Sequence, residues 1–135
     1  MKKICLVLVI ASMFVSCQKE DSGMMLDVIN LEVRQADWSL GSDANGLNSY
    51  YYCEFPMPEI TSYVYRQGCV QVYNVKGSVQ QVLPYVRHYQ NANGALWTQT
   101  IDADFATGNL IVYVTNSDFY QETPPAMNFR VVLMW

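Results

Sequence analysis

The 135-residue chain has a single histidine, and only 15% of its residues are charged. With one imidazole, a zinc site built on several histidines cannot form, and a Ser or Cys nucleophile would have to take His88 as its base. His88 sits between Arg87 and Tyr89 on a strand-like run, with no nucleophile-elbow sequence around it. No catalytic or cofactor motif is present, so the chain is expected not to be an enzyme and to carry no cofactor. Cations are scarce as well: eight Lys and Arg face twelve Asp and Glu, for a net charge of −4. A negative surface without a basic stripe repels phosphate backbones, which argues against nucleic-acid binding. Long apolar runs are also missing. The longest, Ile4 to Val15, has twelve residues, whereas a spanning helix needs about twenty.

That short run sits in a recognisable setting. Lys2 and Lys3 precede it, and Ser16 and Cys17 follow it, which is the layout of a signal peptide. The box Phe14-Val15-Ser16-Cys17 places a cysteine directly after the cleavage point, with Phe where Leu is commonest. Residues 1–16 are therefore expected to be removed and Cys17 to carry acyl chains that anchor the protein to a membrane. The plainer reading of Cys17 is an ordinary thiol within a leader. Residues 17–25 begin with the polar stretch Gln18 to Gly23 and read as a disordered tether. Lys19-Glu20-Asp21 resembles the export signal that carries Bacteroidetes lipoproteins to the outer face of the outer membrane, which implies a cell-surface location. Without Lys2 and Lys3, six cationic residues remain against twelve acidic ones.

Four cysteines permit little cross-linking. Cys5 leaves with the leader and Cys17 is acylated, so Cys53 and Cys69 are the available pair. Alternation sets Cys53 on the face of Tyr51 and Phe55, whereas inward Val70 and Val72 turn Cys69 outward. Those directions argue against a disulfide.

Residues 26–135 read as one domain of short strands rich in Val, Ile, Tyr and Phe, punctuated by Gly, Asn, Asp and Pro. The expected fold is all-β: an antiparallel β-sandwich of about seven strands, immunoglobulin-like or related. The strands are expected from Leu26 toward Trp38, at Ser49–Pro56, Cys69–Val75, Val79–Tyr89, Leu96–Phe105, Leu110–Thr115 and Met127–Trp135, with Gly41–Asn48 as a loop. Pro84 marks an edge or bulge in the fourth. Thr61 and Gly68 bracket a short helical turn, with a continuous strand through Tyr63 and Tyr65 as the alternative. Asn93-Gly94 is the clearest hairpin signal. Trp97, Ile101, Ala103 and Phe105 are expected on the buried face of their strand, as are Leu110, Val112 and Val114, and Phe129, Val131, Leu133 and Trp135 on theirs.

Aromatic residues are plentiful, with ten Tyr and three Trp. Strand propensity accounts for part of this surplus. Alternation nevertheless sends Tyr50 and Tyr52 away from the Tyr51 face, and Tyr113 away from Val112 and Val114. Exposed rings with polar tips can stack on sugars or anchor a protein partner. The first candidate contact surface is Asp118-Phe119-Tyr120-Gln121-Glu122, followed by Pro124 and Pro125; its bland reading is packing over the sandwich end. Tyr63 and Tyr65 come second. Asp102 and Asp104 share one strand face, with Asp118 as a conceivable third oxygen donor for calcium, but the solvated-face reading is preferred because no Gly-punctuated acidic loop accompanies them. The expected role is a non-catalytic binding or interaction module, with docking on an envelope protein and glycan binding through exposed Tyr and Trp ranked nearly level, and an enzyme of unknown class as the last alternative.

Trp38, Pro58-Glu59-Ile60-Thr61, Gly68-Cys69-Val70-Gln71-Val72-Tyr73, Leu83-Pro84-Tyr85, the Asn109 to Asp118 strand and Phe129-Arg130-Val131-Val132-Leu133 together resemble small uncharacterised Bacteroidetes surface lipoproteins. The resemblance spans nearly the whole mature chain. It implies a sandwich-like domain and brings no catalytic residues with it.

Overall fold

A computed structural model describes residues 23–135. The expected leader, Cys17 and the start of the tether lie outside the described residues. No helix among those described is long and apolar enough to cross a membrane.

The described residues form two antiparallel sheets facing each other across one core. Strands β1 (Leu26–Val33), β2 (Ser39–Ser42), β3 (Ser49–Met57), β4 (Cys69–Lys76), β5 (Val79–Val82), β6 (Tyr85–Gln90), β7 (Leu96–Ala106), β8 (Gly108–Asn116) and β9 (Met127–Met134) are joined by one short helix, α1 (Ser62–Gln67). The first sheet has the order β1-β9-β4-β5 and the second β2-β3-β8-β7-β6. The chain is thus an all-β sandwich, as its residue pattern implies.

Period-two burial defines the core. On β9, Met127, Phe129, Val131 and Leu133 are buried, and on β8 Leu110, Val112 and Val114. Both strands are internal to their sheets, so their inward residues meet apolar neighbours on either side as well as across the sandwich. Val33, Val72, Tyr51, Met57 and Ile101 extend the same cluster. Trp38, beyond a 3-10 turn at Gln35–Asp37, packs edge-on against Phe129 with centroids 6.5 Å apart.

Local signals act where expected. Thr61 caps α1 by accepting from Val64 N at 3.2 Å, and Gly68 N–H closes its other end on Val64 O. In the β6–β7 hairpin Gly94 takes φ 83°, and the Asn91 side chain accepts from the amides of Asn93 and Ala95. Cys53 and Cys69 are free thiols, with Cys69 exposed.

Three expectations need correction. The fourth strand is two: the chain passes from β5, the edge of the first sheet, to β6, the edge of the second, through Leu83 and Pro84, which a cis peptide bond joins. Leu83 is buried in the core, and its amide donates to Val72 O. The loop expected over 41–48 starts later, because Ser39–Ser42 pairs with Ser49–Tyr52. Gly41 belongs to that strand because the Tyr50 ring lies across it; a Cβ there would sit 2.7 Å from the ring. Asp43 then holds the shortened loop by accepting from the amides of Asn45, Leu47 and Asn48. Finally, Phe105 is 40% exposed, because β7 outruns the core. Its eleven residues extend about 36 Å, against about 26 Å for the eight-residue strands β4 and β9. Tyr65 of α1 covers Phe105 edge-on, at 6.1 Å between centroids.

Phe129→Ala is expected to cost about 3–5 kcal/mol in urea unfolding, through lost burial and the cavity left behind. Val28→Ala, on the open face of β1, should stay within about 0.5 kcal/mol of the parent.

Candidate functional site

The seven aromatic residues singled out above fall in three places. Tyr50, Tyr52 and Tyr113 meet on the outer face of the second sheet, with Tyr50 6.1 Å from Tyr52 and 5.7 Å from Tyr113 between centroids. Tyr63 and Tyr65 stand exposed on α1 at one end of the sandwich. Phe119 and Tyr120 lie in the β8–β9 loop at the other end, where Phe119 takes φ 53° and its carbonyl accepts from Ser49 Oγ.

Beside the outer tyrosines, register places Asp102 opposite Tyr113 and Asp104 opposite Ile111. Burial, then the charge of Asp104, pushes the Asp102 carboxyl above the usual carboxylate range, and its Oδ1 is buried without a hydrogen-bond partner. Burial and the same Asp104 charge push the Tyr113 phenol upward. This face is an aromatic and acidic surface.

A cavity opens at the loop end instead. It measures about 680 Å³ and lies between the ends of the two sheets, with the β8–β9 loop as one wall. Tyr89 and Trp97, opposite each other in the β6–β7 register, stack with centroids 5.4 Å apart and planes 13° from parallel. Arg87 lies over the Tyr89 ring at 5.5 Å. Tyr120 reaches the cavity from the loop and is 68% exposed. Lys76, Asp118 and Glu122 bring charge of both signs to the lining.

The interior of this cavity is made of amides. Along β4 the inward series runs Val70, Val72, Asn74; along β7, outward from the core, Ile101, Gln99, Trp97; along β8, Leu110, Val112, Val114, Asn116. All three series turn from aliphatic to amide at the same end of the sandwich. Gln99 Nε2 donates to Asn116 Oδ1 at 3.2 Å, and Asn74 Nδ2 donates to Gln81 Oε1 at 3.2 Å. Asn74 is 1% exposed, and its Oδ1 accepts from nothing. A buried acceptor left open costs free energy unless something else supplies a donor.

The loop wall is held from below. Trp38 Nε1 donates to Pro125 O at 3.1 Å, and Pro124 is buried. The loop therefore does pack over the sandwich end, and in doing so it leaves the cavity open beside it.

Of the expected contact surface, Asp118, Tyr120, Glu122, Pro124 and Pro125 line this cavity. Trp97, expected in the core, is half-buried there, and Asn74, Tyr89, Gln99 and Asn116 were not anticipated. The legible signal was the amide at the end of each apolar series, a polar residue at an inward position on three strands at once.

Comparison of the chain with protein-family models, curated proteins and solved structures finds no match.

Two predictions test this geometry. The raised carboxyl of Asp102 favours the protonated fold at low pH, and that advantage is lost as pH rises through the raised value. Asp102→Asn should therefore raise the melting temperature at neutral pH, with the gain vanishing below about pH 4, where the carboxyl is protonated whether the chain is folded or not. Trp38→Phe keeps most of the packing but removes the donor to Pro125; a loss of about 1 kcal/mol, with faster proteolysis of the β8–β9 loop, is expected.

Proposed function

We propose that the chain is a surface lipoprotein, anchored through Cys17 to the outer membrane, whose loop-end cavity binds a short glycan without catalysing a reaction on it. The observation that carries the ligand class is the convergence of Asn74, Gln99 and Asn116 beneath the Tyr89–Trp97 stack. Carboxamides donate and accept side by side, which matches neighbouring sugar hydroxyls, and aromatic rings offer the flat apolar faces on which pyranose C–H bonds rest. The volume falls within the ordinary range of small-ligand sites, about 300–1,000 Å³. Membrane anchoring rests on the sequence Lys2 to Cys17, and the outward location on Lys19-Glu20-Asp21.

Docking onto another envelope protein is the second reading. The outer tyrosine face favours it, since Tyr50, Tyr52 and Tyr113 form an aromatic cluster of the kind that anchors protein interfaces.

One titration separates the two. Saccharides across a broad panel, added to the mature protein, should change tryptophan fluorescence through Trp97. Tyr120→Ala and Gln99→Ala should each weaken the response by about tenfold, the loss of one ring contact or one hydrogen-bonding pair. Tyr52→Ala should leave it unchanged. A panel that produces no change sinks the glycan reading; an envelope partner whose binding is lost in Tyr52→Ala, but kept in Tyr120→Ala, establishes the other. Labelled palmitate in the parent, and none in Cys17→Ala, is the expected result for the anchor.

A further inference from the structure

The described chain enters the sandwich at the end opposite the cavity. Met25 pairs with Trp135 through two backbone hydrogen bonds, 2.7 and 3.1 Å, beside the start of β1 and the end of β9. The cavity lies at the end of β4, the start of β7 and the start of β9. Cys17 precedes Gly23 by six residues, a reach of at most about 20 Å. If Cys17 is acylated, the bilayer must therefore lie close to the α1 end.

The surface at that end has the matching composition. On the open face of the first sheet, the register defines successive cross-strand rows. The row nearest the entry is Leu26, Met134 and Cys69, and the next is Val28, Val132 and Gln71; neither carries a charge. Arg130 appears in the third row, beside Asn30 and Tyr73, and Glu32 in the fourth. Apolar character thus fades with distance from the entry point. Met24, Met25 and Leu26 are 76%, 56% and 62% exposed, which is unfavourable in water without a cover. At the same end Tyr63 and Tyr65 stand out from α1 with Arg66, the combination of amphipathic rings and a cation that settles at a headgroup layer. The nearby Asp27 belongs to the other side of β1, opposite Leu133.

We propose that the first two rows of this face, with Met24 and Met25, rest on the lipid bilayer and hold the glycan cavity away from the membrane. The proposal depends on the anchoring reading of Cys17. The acyl chains supply the affinity, and the apolar rows fix one orientation by bringing a second contact to the same surface.

Cys69 offers the probe, because its thiol is exposed in the first row. The acylated protein with Cys53→Ser is labelled at Cys69 with a polarity-sensitive dye. It is then reconstituted into vesicles of phosphatidylethanolamine and phosphatidylglycerol with brominated acyl chains. A companion with Cys69→Ser and Gln80→Cys carries the dye in the fourth row, about 20 Å away along the same face. The expected result is a blue shift and bromine quenching at Cys69 and neither at position 80. Replacing Leu26 and Val28 with Glu, both exposed and therefore tolerated by the fold, should abolish the quenching while the protein still floats with the vesicles. Flotation with an unquenched dye at Cys69 overturns the bilayer contact and leaves the anchor standing. A blue shift that depends on protein concentration but not on bromine assigns the face to a second copy of the chain and also overturns it. Protein that carries no acyl group and does not float overturns the anchor, and this proposal with it.

Discussion

The structure depends on the exclusion of water between β8 and β9. Leu110, Val112 and Val114 from one sheet and Phe129, Val131 and Leu133 from the other are at most 2% exposed. Each of these strands has hydrogen-bonded neighbours on both sides, so their inward faces set the plane on which the other strands are placed. Burial at about 25 cal/mol per Å² makes that layer the dominant favourable term. The strict alternation of side chains lets it form without burying a polar group along most of its length. Cys53 and Cys69 are free thiols, so among the described residues the sandwich is held by packing and hydrogen bonds without a disulfide.

The cavity follows from the same layer where it stops. β7 is longer than the strands of the facing sheet, so its two ends extend past the aliphatic core. At one end Tyr65 of α1 covers the overhang; at the other the β8–β9 loop covers it only in part, held by the bond from Trp38 to Pro125. The inward positions that line this end are occupied by Asn74, Gln99 and Asn116. Amides there can hydrogen-bond one another and a ligand, as aliphatic side chains cannot. Within the cavity lining, the open acceptor of Asn74 is a point at which the protein's own hydrogen bonds run out. The glycan reading rests on the convergence of these amides with the Tyr89–Trp97 stack, of which that acceptor is one part.

Much of this architecture was legible before the fold was known. The alternation along β8 and β9 placed Leu110, Val112, Val114, Phe129, Val131 and Leu133 inward, the Thr61 cap and Gly68 bracketed α1, and Asn93-Gly94 closed its hairpin. The opposite facing of Cys53 and Cys69 followed from the same period. Tyr50, Tyr52 and Tyr113 were each assigned outward, and they stand outward together. Less legible was Phe105, whose place in the pattern was right but whose core ended before it. Pro84 was read as an edge or bulge, where the chain in fact changes sheets.

The residue pattern by itself determined which way the apolar side chains of β8 and β9 point and where α1 and the β6–β7 hairpin turn, because these are settled within a few residues by period, caps and a positive-φ glycine. Only the tertiary structure decided which strand ends lie together. Asn74, Gln99 and Asn116 sit on three strands, each a local exception to an apolar series, and nothing in any one segment says that they share a cavity. That meeting depends on strand order and on the unequal lengths of the two sheets, which are set by pairing between segments as distant as β1 and β9.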